Sequence, residues 1–351
     1  LEKVEVVKTF EWAVVGAGPA GIAAVGKLMD RGVKPENIIW VDPAFKVGDL
    51  GSKWREVSSN TSVKLFWQFL KTCKAFNYDK APPFEIEKLA PEKTCLLRYI
   101  ADPLQWVTDH LCETVTTFKS EIHSLEQENQ LWYLKGHQKN FSAKSVILAL
   151  GAQPKKLDFP NLKEIPLEQA LDKSKLPNLE GETVAVFGAS HSAMIVLQNL
   201  LSASVRKVIN FYQSPLKFAV FFEDWVLFDN TGLKGQSADW ARRHILGKLP
   251  ENLERVQSSD PEFRKILAQC QSVVYTIGFE RRAVPRVHQM GPLKHNEYNG
   301  IIAPGLFGLG IGFPQRVEDC YGNVEYNVGL WKFMLYLDKV LPLWTRYGLG
   351  D

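Results

Sequence analysis

Residues 11–42 read EWAVVGAGPAGIAAVGKLMDRGVKPENIIWVD. A short apolar run, Trp12-Ala13-Val14-Val15, enters the turn Gly16-Ala17-Gly18-Pro19-Ala20-Gly21, and an Ala- and Leu-rich stretch of helical character follows. A second apolar run, Ile38-Ile39-Trp40-Val41, ends in Asp42 and Pro43. Strand, glycine turn, helix, strand and terminal acid make up the dinucleotide-binding fingerprint in its full context. Gly16 serves the tight turn, Gly18 lets backbone approach a pyrophosphate, and Gly21 lets the helix lie close on the strand. Pro19 and Ala20 open the helix, whose free N–H groups and dipole attract phosphate charge. Asp42 stands where an acid accepts hydrogen bonds from ribose hydroxyls.

Composition bounds what surrounds this unit. A chain of 351 residues has room for two domains. Its 45% hydrophobic and 23% charged residues are those of a globular protein. Forty-two Lys and Arg against 39 Asp and Glu leave a formal charge of +3, too near neutral to argue for nucleic acid or an acidic membrane as partner. The five cysteines, at 73, 95, 112, 270 and 320, are scattered and show no paired spacing, which speaks against a disulfide scaffold, a metal centre and a dithiol redox centre. No signal peptide is visible and no apolar run approaches the ~20 residues of a bilayer span, so a cytoplasmic location is expected.

After Asp42 a glycine-punctuated loop runs through Lys53-Trp54. Residues 55–80 begin polar and become amphipathic, a pattern that predicts a helix up to Pro82-Pro83. Residues 95–118 read as a helix entered after Asp102-Pro103, and strands are expected at 116–125, 130–135 and 145–150. The last of these continues into Gly151, where a glycine lets backbone pass close to a ligand held by the first turn. Beyond a proline-punctuated connector, Thr183–Phe187 enters Gly188-Ala189-Ser190-His191-Ser192-Ala193, followed by a helix at 194–201 and a strand at 205–212. The chain therefore carries an imperfect second copy of its first fold unit.

The second turn differs in its details. Ser190 stands where the first turn has Gly18, narrowing the backbone's approach while offering a hydroxyl, and Ala193 replaces the third glycine. The strand end Asn210–Ser214 carries no acid, which disfavours NAD and favours NADP, although no arginine sits there either. His191 reads as a solvent-facing turn residue. Residues 273–279 and 305–314, the latter containing Gly310, repeat the strand-then-glycine theme, and 327–343 is strongly helical. Aromatic stripes at 211–228 and 326–347 read as core or as a homodimer face.

Two glycine turns with strand-plus-glycine returns at 146–152 and 273–279 resemble the two-dinucleotide-binding-domain flavoproteins. The resemblance implies an α/β fold, in which an FAD-binding Rossmann-like three-layer domain (1–155 and 272–351) carries an inserted, smaller NAD(P)-binding Rossmann-like domain (156–271). It implies FAD on the first unit and NADP on the second. Gly16, Gly18, Gly21 and Asp42 would hold the ADP half of FAD, with Gly151 and Gly310 passing close. Gly188, Ser190 and Ser192 would meet the nicotinamide nucleotide.

Absence of a cysteine pair speaks against the disulfide reductases of that superfamily. Residues 47–62, VGDLGSKWREVSSNTS, are instead similar to the segment of flavin-containing monooxygenases that pairs a glycine–x–Trp with a downstream serine/asparagine run. The likeness implies that Trp54 packs near the flavin. It also implies that Asn60 hydrogen-bonds near the C4a–N5 edge, where that family stabilises a hydroperoxide in a water-excluding site. The expected activity is NAD(P)H-driven oxygenation of a small molecule through a C4a-(hydro)peroxyflavin. Two other activities fit the same fold: a reductase passing electrons to a quinone, ferredoxin or another protein, and a flavoprotein with a decayed second site acting as a binding partner.

Overall fold

Five parallel strands form the centre of the larger sheet, in the order Thr116–Phe118, Ile38–Val41, Thr9–Val15, Asn140–Leu148, Leu306–Gly308. This is a computed structural model, and it describes residues 8–137, 139–288 and 290–348; residues 1–7 of the charged lead-in lie outside them. The strands read as unbroken apolar runs because both faces are covered. Trp12, Val14, Ile38 and Trp40 point into one core with the helices Pro19–Asp30, Val63–Thr72, Arg98–Thr114 and Leu330–Arg346. Ala13, Val15, Ile39, Val41, Val146 and Leu148 point into another, against Leu125, Trp132 and Leu134 of the antiparallel pair Ile122–Glu128 and Leu131–Gly136. The result is three layers, as expected.

The strand Asn140–Leu148 serves both sheet layers. Its first half pairs antiparallel with Leu131–Gly136 and its second half parallel with Leu306–Gly308. That arrangement brings the glycine-rich segment after Gly308 to the same sheet end as the first glycine turn.

A smaller all-parallel sheet is built from Lys163–Glu164, Ser272–Tyr275, Thr183–Phe187, Lys207–Tyr212 and Leu253–Gln257, in that order. The helices His191–Leu201 and Gly235–His244 cover one face, and an aromatic cluster of Phe187, Phe211 and Phe263 sits on the other. The boundary expected at 271/272 is corrected here. Ser272–Tyr275 is buried between two strands of the smaller sheet, and an apolar run does not announce which sheet it will join. The return to the first unit comes at Phe279–Arg281, which pairs antiparallel with the outgoing segment Ala152–Pro154. The chain leaves and re-enters side by side.

Three local expectations also change. The stretch 55–80 is not one helix: Ser58–Ser62 is extended and pairs with Thr94–Leu96, and only Val63–Thr72 is helical. Ser-rich sequence gives an α-helix little support and competes for local hydrogen bonds. The next helix starts at Arg98 and runs through Pro103 rather than after it. The strand expected at 116–125 divides into Thr116–Phe118 and Ile122–Glu128.

Candidate functional site

The two glycine turns repeat one another almost atom for atom. Gly16 has φ +110, its N–H donates to Val41 O at 2.8 Å, and a Cβ on it would meet Ala149 O at 2.3 Å. Gly188 has φ +121, its N–H donates to Phe211 O at 2.9 Å, and a Cβ would meet Thr276 O at 2.4 Å. Only glycine fits either place. The side chain one residue before each of those N–H-accepting carbonyls then fastens the turn: Trp40 Nε1 donates to Gly16 O at 2.9 Å, and Asn210 Nδ2 donates to Gly188 O at 2.8 Å. Neither residue was visible as a site residue in the sequence. Their shared place, one before the second-strand residue whose carbonyl takes the turn glycine's N–H, is the signal that finds them.

Both helices begin without a side-chain cap, at Gly18 and at Ser190. Their first-turn N–H groups, which helix geometry leaves without intrahelical partners, are open to an anion. Pro19, at the first helical position, has no N–H to offer and presets the helix. A Cβ on Gly21 would strike Gly16 O at 1.9 Å, so the helix lies on the turn only because that position is bare. Gly48 (φ +58) approaches Gly18 so closely that its Cβ would lie 3.0 Å from Gly18 Cα. Gly310 (φ +83) backs onto Ala20, with 2.6 Å from its ideal Cβ to Ala20 Cβ, and Gly151 (φ +73) lies in open space beside Gly312. Gly16, Gly18, Ala20, Gly21 and Gly310 are thus brought together at one sheet end.

Asp42 grips backbone in this structure. Its Oδ2 accepts Ala17 N–H at 2.7 Å, and its Oδ1 accepts Ala44 N–H at 2.8 Å and Phe45 N–H at 2.7 Å. It ties the turn to the loop that begins at exposed Pro43. Oδ1 is filled by its two donors, and Oδ2 still has acceptor capacity left. Trp54 lies edge-on to Phe279, 6.2 Å between ring centroids, against the core of the second unit. That places it at the paired connectors.

At the second turn a cleft of about 680 Å³ opens between Gly188, Ser190, Gln213, Ser214, Lys217 and Gly278. Its floor is aromatic: Phe187 stacks on Phe159 at 5.3 Å and on Phe211 at 5.0 Å. Where the first unit has Asp42, the second has Tyr212, with the Arg255 guanidinium 4.2 Å from its ring centroid. Arg255 arrives from the neighbouring strand, which is why the strand end itself shows no arginine. Ser192 follows on the helix, partly buried.

Asn60 lies on the wall of a larger chamber, about 950 Å³. Ser58, Thr61 and Ser62 flank it, and the far walls come from the segments around Lys234 and Lys332. Lys234 and Lys332 share the Asp229 carboxylate, Lys332 at 2.6 Å, and Lys332 also donates to Asn230 Oδ1 at 2.6 Å. Burial pushes the Asp229 carboxyl up, but Lys332 and Lys234 outweigh it and hold it below the usual carboxylate range. Behind them, buried Glu325 accepts from Asn230 N at 3.0 Å, Thr231 N at 2.9 Å and Thr231 Oγ1 at 2.5 Å.

His191 corrects an expectation. It does not face solvent: its Nε2 lies 2.7 Å from Ser58 O, across from the second turn to the strand of Asn60. Burial and nearby Lys234 hold its pKa below the ordinary histidine value. A sequence offers no means of seeing a contact between residues so far apart.

The cysteines are all free among the described residues. Burial pushes the thiols of Cys95, Cys112 and Cys270 up to about 11, so they stay protonated at neutral pH. No dithiol stands ready beside either turn.

The model of the pyridine nucleotide-disulphide oxidoreductase family matches residues 13–216, from the first glycine turn through the end of the second. The chain belongs to that family. Oxidoreductase activity comes with it, carried on two Rossmann-type units. A curated relative, the monooxygenase AgnR1 of Paecilomyces divaricatus, is 33% identical over 94% of this chain and 97% of its own length. Among solved structures, a flavin-containing monooxygenase from Stenotrophomonas maltophilia superposes with a TM-score of 0.64 at 14% identity, covering 97% of this chain and 99% of that one. OTEMO in an FAD-bound form gives 0.60 at 11% identity, covering 96% and 98%. These two likenesses speak to the fold of this family member. No helix among its described residues is long and apolar enough to cross a membrane.

Proposed function

We propose that this oxidoreductase is an FAD-dependent, NADPH-driven monooxygenase acting on a small molecule. One observation carries the reading: the chamber of about 950 Å³ that has Asn60 in its wall and both units around it. A chain with no dithiol but a roomy polar-and-apolar chamber suits oxygenation of a bound molecule better than thiol exchange. The relative's name, monooxygenase, and the FAD held by a structural neighbour agree with it.

The first turn fits the pyrophosphate of FAD. Its uncapped helix start offers N–H groups, bare Gly18 and Gly48 leave backbone unshielded, and Asp42 Oδ2 keeps a lone pair for a ribose hydroxyl. When bound, FAD would supply hydride acceptance and oxygen activation, chemistry that no side chain here provides. Gly188, Ser190 and Ser192 are the corresponding groups for the nicotinamide dinucleotide. Lys217 and Ser214, which line the cleft beyond the strand end, suit the 2′-phosphate that distinguishes NADP from NAD. Asn60 offers an amide that both donates and accepts, and Trp54 closes the connector side against water.

Anaerobic reduction with NADPH and with NADH, followed by mixing with oxygen in a stopped-flow instrument, tests the reading. NADPH should bleach the flavin, and reoxidation should be slow and yield oxygenated product. Prompt reoxidation that releases only hydrogen peroxide, whatever the substrate, would sink it. Asn60→Ala should lower the ratio of product to NADPH consumed by a factor on the order of 10². A variant that leaves that ratio unchanged removes Asn60 from the site.

A further inference from the structure

The strand that carries Asn60 is poorly fastened. It pairs with Thr94–Leu96 at Ser58 and Ser62, but the register shifts between them, so Asn60 sits in an irregular stretch. Ser59 Oγ donates to Thr61 O at 2.7 Å and accepts Cys95 N–H at 3.3 Å, which steadies one side. On the other side the tie is His191, whose Nε2 reaches Ser58 O.

The tautomer of His191 follows from that contact. A carbonyl only accepts, so Nε2 carries the hydrogen. The ring opens the helix His191–Leu201, where the positive end of the helix dipole disfavours a charged imidazole, and Lys234 faces it as well. A neutral ring with its donor on Nε2 has a lone pair on Nδ1. That atom is buried and has no partner among the described residues. A buried acceptor with no donor calls for an explanation. Ser190, the residue before it, lines the nucleotide cleft, and Ser58 lines the Asn60 chamber.

We propose that His191 is a positioning residue joining the two sites: its Nε2–H fixes the Ser58 carbonyl, and its Nδ1 receives a hydroxyl or amide N–H from the nicotinamide half of the dinucleotide. The inference rests on the reading of the second turn as the NADP site. Binding of nucleotide completes the histidine's hydrogen bonds and stiffens the ring. The ring in turn holds the irregular strand, and Asn60 is set in place when the electron donor is present. Pro19 occupies the same place in the first turn and has no side chain able to do this.

Two substitutions separate the two bonds. In H191N the amide occupies the place of Nδ1 and no longer reaches Ser58; in H191Q the amide reaches Ser58 and Nδ1 is lost. Three readouts apply to the FAD-loaded protein: hydrogen exchange over residues 58–62, NADP⁺ affinity by calorimetry, and the change in the flavin visible spectrum on adding NADP⁺. Wild type should show NADP⁺-dependent protection of 58–62 and a spectral response. H191N should bind NADP⁺ within about twofold of wild type, yet exchange about five- to tenfold faster over 58–62 and lose the spectral response. H191Q should keep the basal protection and lose about five- to tenfold in NADP⁺ affinity. Wild-type protection and affinity in H191L would overturn the proposal, as would a wild-type strand indifferent to NADP⁺. Wild-type protein that binds no NADP⁺ at all overturns the reading of the second turn together with this inference. Normal NADP⁺ binding and flavin reduction in indifferent His191 variants overturns the inference alone.

Discussion

Gly16 and Gly188 do one job in two places, and each is defended by a carbonyl oxygen too close to allow a Cβ. Gly188→Ala forces a positive φ on alanine and pushes its methyl toward Thr276 O, which should cost about 1–3 kcal/mol of stability. Urea unfolding measures that cost. The same variant should keep its flavin while NADPH no longer bleaches it, and equal bleaching rates would refute the assignment of the second turn. The glycines and Asp42 were legible because spacing along the chain alone determines their places. Trp40 and Asn210 were not, since a donor's partner depends on strand register and on which face of the sheet it leaves. His191 was legible only as a neighbour of the turn. Its folded pKa lies below the ordinary 6.5, so under acid the unfolded chain takes up a proton that the folded one refuses. Stability should therefore fall as pH drops below about 6.5, and H191Q should show a shallower slope between pH 7 and 5. His295, also lowered by burial, contributes a slope of the same sign that H191Q leaves in place.

At the scale of elements, the parallel strands were read well because continuous apolar runs followed by glycine have few other uses. The Ser58–Ser62 strand was misread because the partners that hold it extended are distant in sequence: Thr94–Leu96, Cys95 N and His191. The segment 229–231 is a comparable case. It belongs to the inserted chain yet is held by Glu325, Asn327 and Lys332 near the C-terminal helix. Lys332 is depressed by its own burial and kept charged by Asp229, so its removal leaves Asp229 Oδ2 and Asn230 Oδ1 without their donor while Lys234 still holds Asp229 Oδ1. Side chains 22% and 32% exposed soften that penalty relative to a fully buried pair. Lys332→Met should destabilise by about 1–3 kcal/mol, measured by urea unfolding. An unchanged midpoint would mean that water already satisfies this cluster.

For the whole molecule, the two units meet through more than the connectors. His191 pairs with Ser58, and Glu325 with the 230–231 backbone. Wild-type protein should accordingly melt in one calorimetric transition, while Lys332→Met should broaden it or divide it in two. Two well-separated transitions in wild type would show these ties to be weak. The repeated fold unit was evident from sequence, but the division between units was placed too early because Ser272–Tyr275 resembles a strand of either sheet. The paired segments Ala152–Pro154 and Phe279–Arg281 carry a consequence of their own. Pro154 and Phe279 face one another as ladder partners, so the exit and entry of the inserted unit are neighbours across a single rung. A short turn joining those two residues would seal the first unit without disturbing its sheet, and a foreign unit with closely spaced ends could be spliced in at the same rung. The inserted half of this protein is thus a cartridge, replaceable at one seam, provided the newcomer brings its own counterparts to Glu325 and Ser58.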